Sequence, residues 1–149
     1  VQRGILMLLM KLQKQTQNTM IFVSHDLGVH YQITDRIAIM YSGKIMEIGK
    51  TTEMFAHPMH PYTSMLINAL PRVGDKSQRV GIKGEPPSLR NPPPGCRFAP
   101  RCWMARERCF KEIPELREVT PGHVVACHYA DESRENALKA EKRKLDMTE

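Results

Sequence analysis

No apolar run in this chain of 149 residues is long enough to cross a bilayer. No secretory signal is visible: the apolar residues of Val1 to Met10 are broken by Gln2-Arg3-Gly4, and no small-residue cleavage site follows. No stretch interleaves basic and aromatic residues, so the net charge of +6 does not describe a nucleic-acid face. At most it gives a mild attraction to anionic headgroups or phosphates. No G-x-x-x-x-G-K-[ST] pattern occurs, so no such loop cradles phosphates. The four cysteines include no close pair of the kind, about two to four residues apart, that zinc fingers and ribbons use. An initiator methionine is also missing, and Val1 falls inside a helical pattern. The chain is therefore expected to be the C-terminal piece of a longer protein.

What is present is organised around Thr19-Met20-Ile21-Phe22-Val23-Ser24-His25-Asp26. Its β-branched and aromatic residues read as a buried strand ending at a polar edge. In open α/β sheets, ligands gather at the carboxyl ends of strands, which makes His25 a candidate for catalysis. The plainer reading is that Ser24 or Asp26 caps the next helix and His25 is a bystander. Upstream, Ile5, Leu6, Leu8, Leu9 and Leu12 form a helical stripe that stops at Lys14-Gln15-Thr16-Gln17-Asn18, with Asn18 as terminator. Downstream, Leu27 to Ile33 reads as a short helix. Ile37 to Tyr41 and Lys44 to Gly49 read as a hairpin turned at Ser42-Gly43. Helix, strand, helix, strand, strand is the alternation of an α/β domain. So short a stretch cannot cover both faces of a sheet and calls for partner sequence upstream.

Thr52 reads as an N-cap, and Met54 to Ala56 as a helical turn interrupted by His57-Pro58. Pro61 suits a first helical position. Tyr62, Met65, Leu66, Ala69 and Leu70 follow at amphipathic spacing, and Pro71 ends the helix. His57 and His60, beside prolines, read as capping or packing residues rather than metal ligands. Val73 to Pro94 is a connector stiffened by Pro86-Pro87 and Pro92-Pro93-Pro94, with Ile82-Lys83-Gly84 a candidate short strand. Asp131 to Glu149 is a charged tail, a solvated helix or disorder, with Leu138 and Leu145 its only large aliphatics.

Cys96, Cys102, Cys109 and Cys127 lie in one segment. Without a secretory signal the default compartment is reducing, which argues against two disulfides and for a metal or cluster. Their spacing matches no common zinc or ferredoxin pattern. Three thiolates from a compact loop and a fourth from a later segment suit zinc or an iron–sulfur cluster equally well. Arg97, Arg101, Arg106 and Arg108 are expected to offset the negative charge of such a site. His128 reads as a neighbour. The bland alternative is four ordinary buried thiols.

Taken together, Ile21-Phe22-Val23-Ser24-His25-Asp26-Leu27 and Asp35-Arg36-Ile37-Ala38-Ile39-Met40-Tyr41-Ser42-Gly43-Lys44-Ile45 resemble the end of an ABC-transporter nucleotide-binding domain. His57-Pro58, His60-Pro61-Tyr62-Thr63 and Leu70-Pro71 resemble the C-terminal extension of oligopeptide/dipeptide-importer ATPase subunits. Gly95-Cys96-Arg97-Phe98, Arg101-Cys102, Cys109 and Ala126-Cys127-His128 resemble the cysteine segment of the same subfamily. The resemblance implies an α/β fold: the C-terminal part of a P-loop (ABC-type) nucleotide-binding domain followed by a small, irregular cysteine-rich extension. The implied divisions are 1–52 for the end of that domain, 53–95 for the His-Pro-Tyr helix and connector, 96–130 for the cysteine segment and 131–149 for the tail.

The resemblance also implies roles. His25 falls on the switch histidine that senses the γ-phosphate of ATP, and Cys96, Cys102, Cys109 and Cys127 fall on the ligands of a 4Fe–4S cluster, with zinc as the alternative. ATP and Mg would be used only by the intact subunit, because no Walker B carboxylate, signature motif or Q-loop is present. The implied activity is ATP hydrolysis powering peptide import, with this piece alone inactive. The implied partners are a second ATP-binding subunit and transmembrane permease subunits, with no nucleic acid. The implied place is the cytoplasmic face of the cell membrane, as a peripheral protein. The competing reading is a non-enzymatic metal- or iron–sulfur-binding module that docks on a transporter.

Overall fold

Ser42 and Gly43 fix the first long-range geometry of the chain. Both adopt positive φ, 48° and 76°. That is the conformation of a two-residue hairpin turn whose twist matches its strands. It joins β1 (Arg36–Tyr41) to β2 (Lys44–Lys50), antiparallel, with Tyr41 opposite Lys44 and Arg36 opposite Lys50. The computed structural model describes residues 2–70, 82, 84–133 and 135. Among them the elements in order are α1 (Gln2–Thr16), α2 (Leu27–Ile33), β1, β2, α3 (Thr51–Ala56), α4 (Pro61–Asn68), a 3-10 turn (Ala99–Arg101), α5 (Glu107–Lys111), β3 (Arg117–Thr120) and β4 (His123–Val125).

The four strands form one sheet in the order β1-β2-β4-β3, and every described pairing is antiparallel. Mixed helix and sheet is consistent with the expected α/β class. Two features depart from the sequence reading. First, the cysteine segment is not simply an irregular extension. It supplies β3 and β4, and β4 pairs with β2, Glu47 opposite Val125. The sheet thus runs across the expected divisions at 52/53 and 95/96. The readable signal was Pro121-Gly122 between Val119 and Val124; Gly122 turns with φ 76°.

Second, the expected strand at Met20 to Ser24 is absent. The backbone is extended coil with a bend at His25. Ile21 and Val23 are 89% and 88% exposed. A strand is stabilised by a ladder partner and a covered face, and no described element offers this segment either. Its composition asks for burial that the described residues do not provide.

The remaining differences are local. Gln17, at φ 53°, ends α1 one residue before Asn18. Lys50, not Thr52, is the N-cap of α3. In α4 the buried positions are Pro61, Thr63 and Ile67, while Tyr62, Met65 and Leu66 are half-buried. Ile82 is coil. Pro71, most of the Val73 to Gly84 connector, Leu138 and Leu145 lie outside the described residues. Residues 130–133 make a helical turn.

The core has three adjoining parts. Ile37 and Ile39, on the covered face of β1, pack on Met54 of α3. Tyr41 and Met46 pack on Phe98 from the cysteine segment, with Tyr62 and Met65 of α4 around them. Met59, Val125 and Ala130 form the third part beside Cys127. Phe98 is fully buried, and its ring meets Tyr41, Tyr62 and His60 with centroids 5.3, 5.1 and 5.9 Å away. Buried aromatic rings crossing at steep angles supply large apolar area and favourable quadrupole contacts.

Candidate functional site

The two places that the sequence singles out are far apart in character. His25 is exposed on the bend before α2. Its neighbour Asp26 is the N-cap: Asp26 Oδ1 accepts from the Val29 N–H at 3.2 Å, and the Asp26 N–H donates to Ser24 Oγ at 3.0 Å. A carboxylate here satisfies one of the free amides of the first turn. The capping expected of Ser24 or Asp26 is therefore performed by Asp26, and it anchors the backbone that presents His25.

The cysteine segment is closed. Cys96, Cys102, Cys109 and Cys127 together line one small cavity of about 20 Å³, walled also by His60, Phe98, Met104, Pro114 and His128. All four are free thiols. Local backbone bonds shape the loop. The Cys96 N–H donates to the Cys109 carbonyl at 2.8 Å, Ala99 N–H to Cys96 at 3.0 Å, Cys102 N–H to Ala99 at 3.2 Å and Ala105 N–H to Cys102 at 3.2 Å. Gly95 permits the closure: a Cβ there would lie 2.3 Å from the Cys109 carbonyl oxygen. Only a residue without Cβ tolerates that approach.

Burial favours the neutral form of three of the thiols. Desolvation pushes Cys127 up to about 12 and Cys102 up to about 11, and raises Cys96 as well; the neighbouring thiols add to the rise in each case. Binding of a cation would have to displace these protons. Among the described residues no group of three His, Cys, Asp or Glu side chains is arranged to hold an ion as it stands.

The four arginines of this segment bond to oxygens. Their described hydrogen bonds run away from the thiols: Arg97 to the Ser42 carbonyl, Arg101 to Tyr41 Oη and the Ile82 carbonyl, Arg106 to Glu132 and Arg108 to Glu112. Arg106 also lies over the Tyr129 ring at 4.2 Å. Arg97 and Arg101 pin the tip of the β1–β2 hairpin to the cysteine loop. Guanidinium forks are drawn to carbonyl and carboxylate oxygens, which accept far better than a neutral thiol. His128 lines the cavity and its Nε2 faces the Glu112 carbonyl at 3.1 Å, a neighbour as expected.

Sequence reasoning passed over a third cluster. Glu47 of β2 is fully buried. Its Oε1 accepts from the Met59 N–H at 2.7 Å and from His123 Nε2 at 2.7 Å, and its Oε2 accepts from the His60 N–H at 3.1 Å. His60 Nδ1 accepts from the Tyr62 N–H at 3.0 Å, so His60 is the N-cap of α4, as a capping residue was expected to be. The Ala126 carbonyl lies beside its ring and favours the charged form. Desolvation lowers the His60 pKa to about 4, against the smaller opposing pull of Glu47 and of that carbonyl. His60 is therefore a neutral imidazole, accepting at one nitrogen and donating at the other. Glu47 was hidden because strict alternation turns one of Met46 and Glu47 outward. A bulge between Ile39 and Met40 breaks the register, so both are buried.

One near-match needs a structural answer. Gly49-Lys50-Thr51 has the last residues of a phosphate-binding loop. Here Gly49 pairs with Ile37 inside the sheet and α3 starts at once, leaving no loop to wrap a phosphate.

Residues 46–109 match the family described as the oligopeptide/dipeptide transporter, C-terminal region. The dipeptide transport ATP-binding protein DppF of Haemophilus influenzae is 41% identical over 133 residues, 88% of this chain and 41% of its own length. The oligopeptide transport ATP-binding protein AppF of Bacillus subtilis is 42% identical over 132 residues, 86% of this chain and 40% of its own. A protein of Brucella ovis, provisionally named a peptide import ATP-binding protein, is 43% identical over 129 residues, 85% of this chain and 41% of its own. The chain thus spans about two fifths of the length of the relatives it matches. Residues 46–109 thus carry the C-terminal region described for oligopeptide/dipeptide transporters, and most of the chain is similar to part of peptide-transport ATP-binding proteins.

Proposed function

We propose that the chain serves in an ABC-type subunit whose ATP hydrolysis powers peptide import across the cytoplasmic membrane. The observation that carries this is the similarity to peptide-transport ATP-binding proteins over most of the chain. Those names do not favour the non-enzymatic docking module. In this reading residues 1–52 end a nucleotide-binding domain, 53–95 extend it, 96–130 form the cysteine segment and 131–149 the tail. The subunit pairs with a second ATP-binding subunit and with permease subunits, lying against the membrane at its cytoplasmic side. Among the described residues no helix is long and apolar enough to cross a membrane.

His25 is the residue of this chain that meets ATP–Mg in that assembly. Its exposure and the capped backbone beside it support the role. From an exposed bend, an imidazole hydrogen-bonds the γ-phosphate and the attacking water, aligning the in-line displacement. The carboxylate that holds Mg and the amides that cradle the phosphates are not in this chain.

Cys96, Cys102, Cys109 and Cys127 would hold an iron–sulfur cluster, zinc being the other group four thiolates suit. The donor set around one cavity fits such a group. The neutral thiols would have to ionise and draw inward to bind it.

The test of the ATPase reading is His25→Ala in the whole subunit. Phosphate release is expected to fall ~10²–10⁴-fold, as on loss of a positioned acid–base group, while nucleotide still binds by titration. Unchanged turnover overturns the assignment of His25.

A further inference from the structure

The four thiols do not reach the cavity by the same means. Cys96, Cys102 and Cys109 are set by bonds within their own loop: the Cys96 amide on the Cys109 carbonyl, Ala99 on Cys96, Cys102 on Ala99 and the Cys109 amide on the Arg106 carbonyl. Cys127 follows eighteen residues after Cys109, beyond β3 and β4. Its backbone is held from outside the loop. The preceding Ala126 N–H donates to the Met46 carbonyl at 2.8 Å, and the His60 ring lies beside the Ala126 carbonyl. His60 and β4 are in turn held by one carboxylate. Glu47 accepts from the His60 amide at 3.1 Å and from His123 Nε2, at the start of β4, at 2.7 Å. Glu47, His60 and His123 are all buried, at 0%, 1% and 5% exposed.

We infer that Glu47, acting through His60 and His123, is the positioning residue that brings Cys127 to the loop of the other three thiols. The site is then three local ligands and one delivered ligand, and the β2 carboxylate sets the delivery. A buried carboxylate with three donors holds its neighbours to one arrangement, because each would otherwise lose its partner in a dry interior. Outer groups of this kind commonly change metal affinity ~10–100-fold when removed. The inference rests on the cysteine segment being a metal or cluster site.

The probe is Co²⁺, titrated anaerobically into the metal-free full chain. Thiolate-to-cobalt charge-transfer absorbance grows with the number of thiolates, and a thiol reagent counts those left free. Wild type is expected to bind one Co²⁺ with four thiolates and no reactive thiol. Glu47→Gln keeps the shape but weakens the acceptor. His60→Asn keeps a side-chain oxygen for the Tyr62 amide but is too short for the Ala126 carbonyl. It therefore separates Cys127 placement from helix capping, and stands in if the Glu47 variant does not fold. Each variant should lose about a quarter of the charge-transfer intensity, bind Co²⁺ ~10–100-fold more weakly and leave one reactive thiol, identified as Cys127 by peptide mapping. Cys127→Ala should show the same three-thiolate spectrum, and adding His60→Asn to it should change nothing more. Four thiolates with wild-type affinity in both variants would overturn the delivery role while leaving the cysteine site standing. No thiolate absorbance in wild type would overturn the cysteine site, and this inference with it.

Discussion

The bend at His25 and the cavity of the four cysteines are built in opposite ways. The first is a stretch of apolar residues with little against it: Ile21 and Val23 face solvent, and the Phe22 ring against His30 and the Asp26 cap tie it to a helix. The second is walled by residues of α4, the 3-10 turn, α5 and the segment after β4, and every cysteine has a hydrogen-bonded backbone or a buried neighbour. One region presents a side chain to an outside ligand. The other closes around its own donors. The lesson is that an apolar pattern specifies burial without specifying what does the burying. Ile21 and Phe98 are equally hydrophobic in character, yet one is 89% exposed and the other 0%.

The largest effect expected on this contrast is at the closed end. Phe98→Ala should cost about 3–5 kcal/mol in denaturant unfolding, since the ring fills the junction of hairpin, α4 and cysteine loop. A cost under about 1 kcal/mol would mean that the junction is loose and the contrast false.

The second prediction concerns pH. His60 is held near pKa 4 when folded and returns to 6.5 when unfolded. The unfolded chain therefore binds the extra proton first. Stability is full above about pH 6.5, falls as pH drops toward 4, and levels off below it. The shift corresponds to about 3 kcal/mol between pH 7 and pH 4, an order-of-magnitude figure. Glu47 and His123 face the same cluster. Urea unfolding across this range should show the loss, and His60→Asn should flatten it. The same slope in that variant would place the titration elsewhere.

The smallest effect is expected at the open end. Ile21→Ala in this chain should change stability by less than about 0.5 kcal/mol, as for other exposed positions. In the whole subunit it should cost about 2–5 kcal/mol if upstream sequence covers the segment. Equal small effects in both would show that the stretch stays open and would remove the support for a strand behind His25.

Much of the local structure was legible. The hairpin followed from Ser42-Gly43 between apolar runs, because a two-residue turn with positive φ has few residue choices. α2 followed from the capping carboxylate and the apolar spacing, and α4 from Pro61. That the four cysteines meet at one cavity was legible from their clustering in one segment. The strand at Met20 to Ser24 failed because strand formation is decided by partners, and the local pattern carries no information on whether they are present. β3 and β4 were passed over because the cysteines drew the reading toward a loop, although Pro121-Gly122 marked the turn.

The sequence by itself determined the turns, caps and helical stripes, and the family resemblance that made His25 and the four cysteines candidates. These depend on steric limits and hydrogen bonds within a few residues. Only the tertiary structure decided that Cys127 is placed from a distance. A one-residue bulge turns both Met46 and Glu47 inward. Once inside, the carboxylate must find donors, and it finds them on α4's cap and on β4, 13 and 76 residues away along the chain. Burial cost, which no local pattern records, makes that long-range choice.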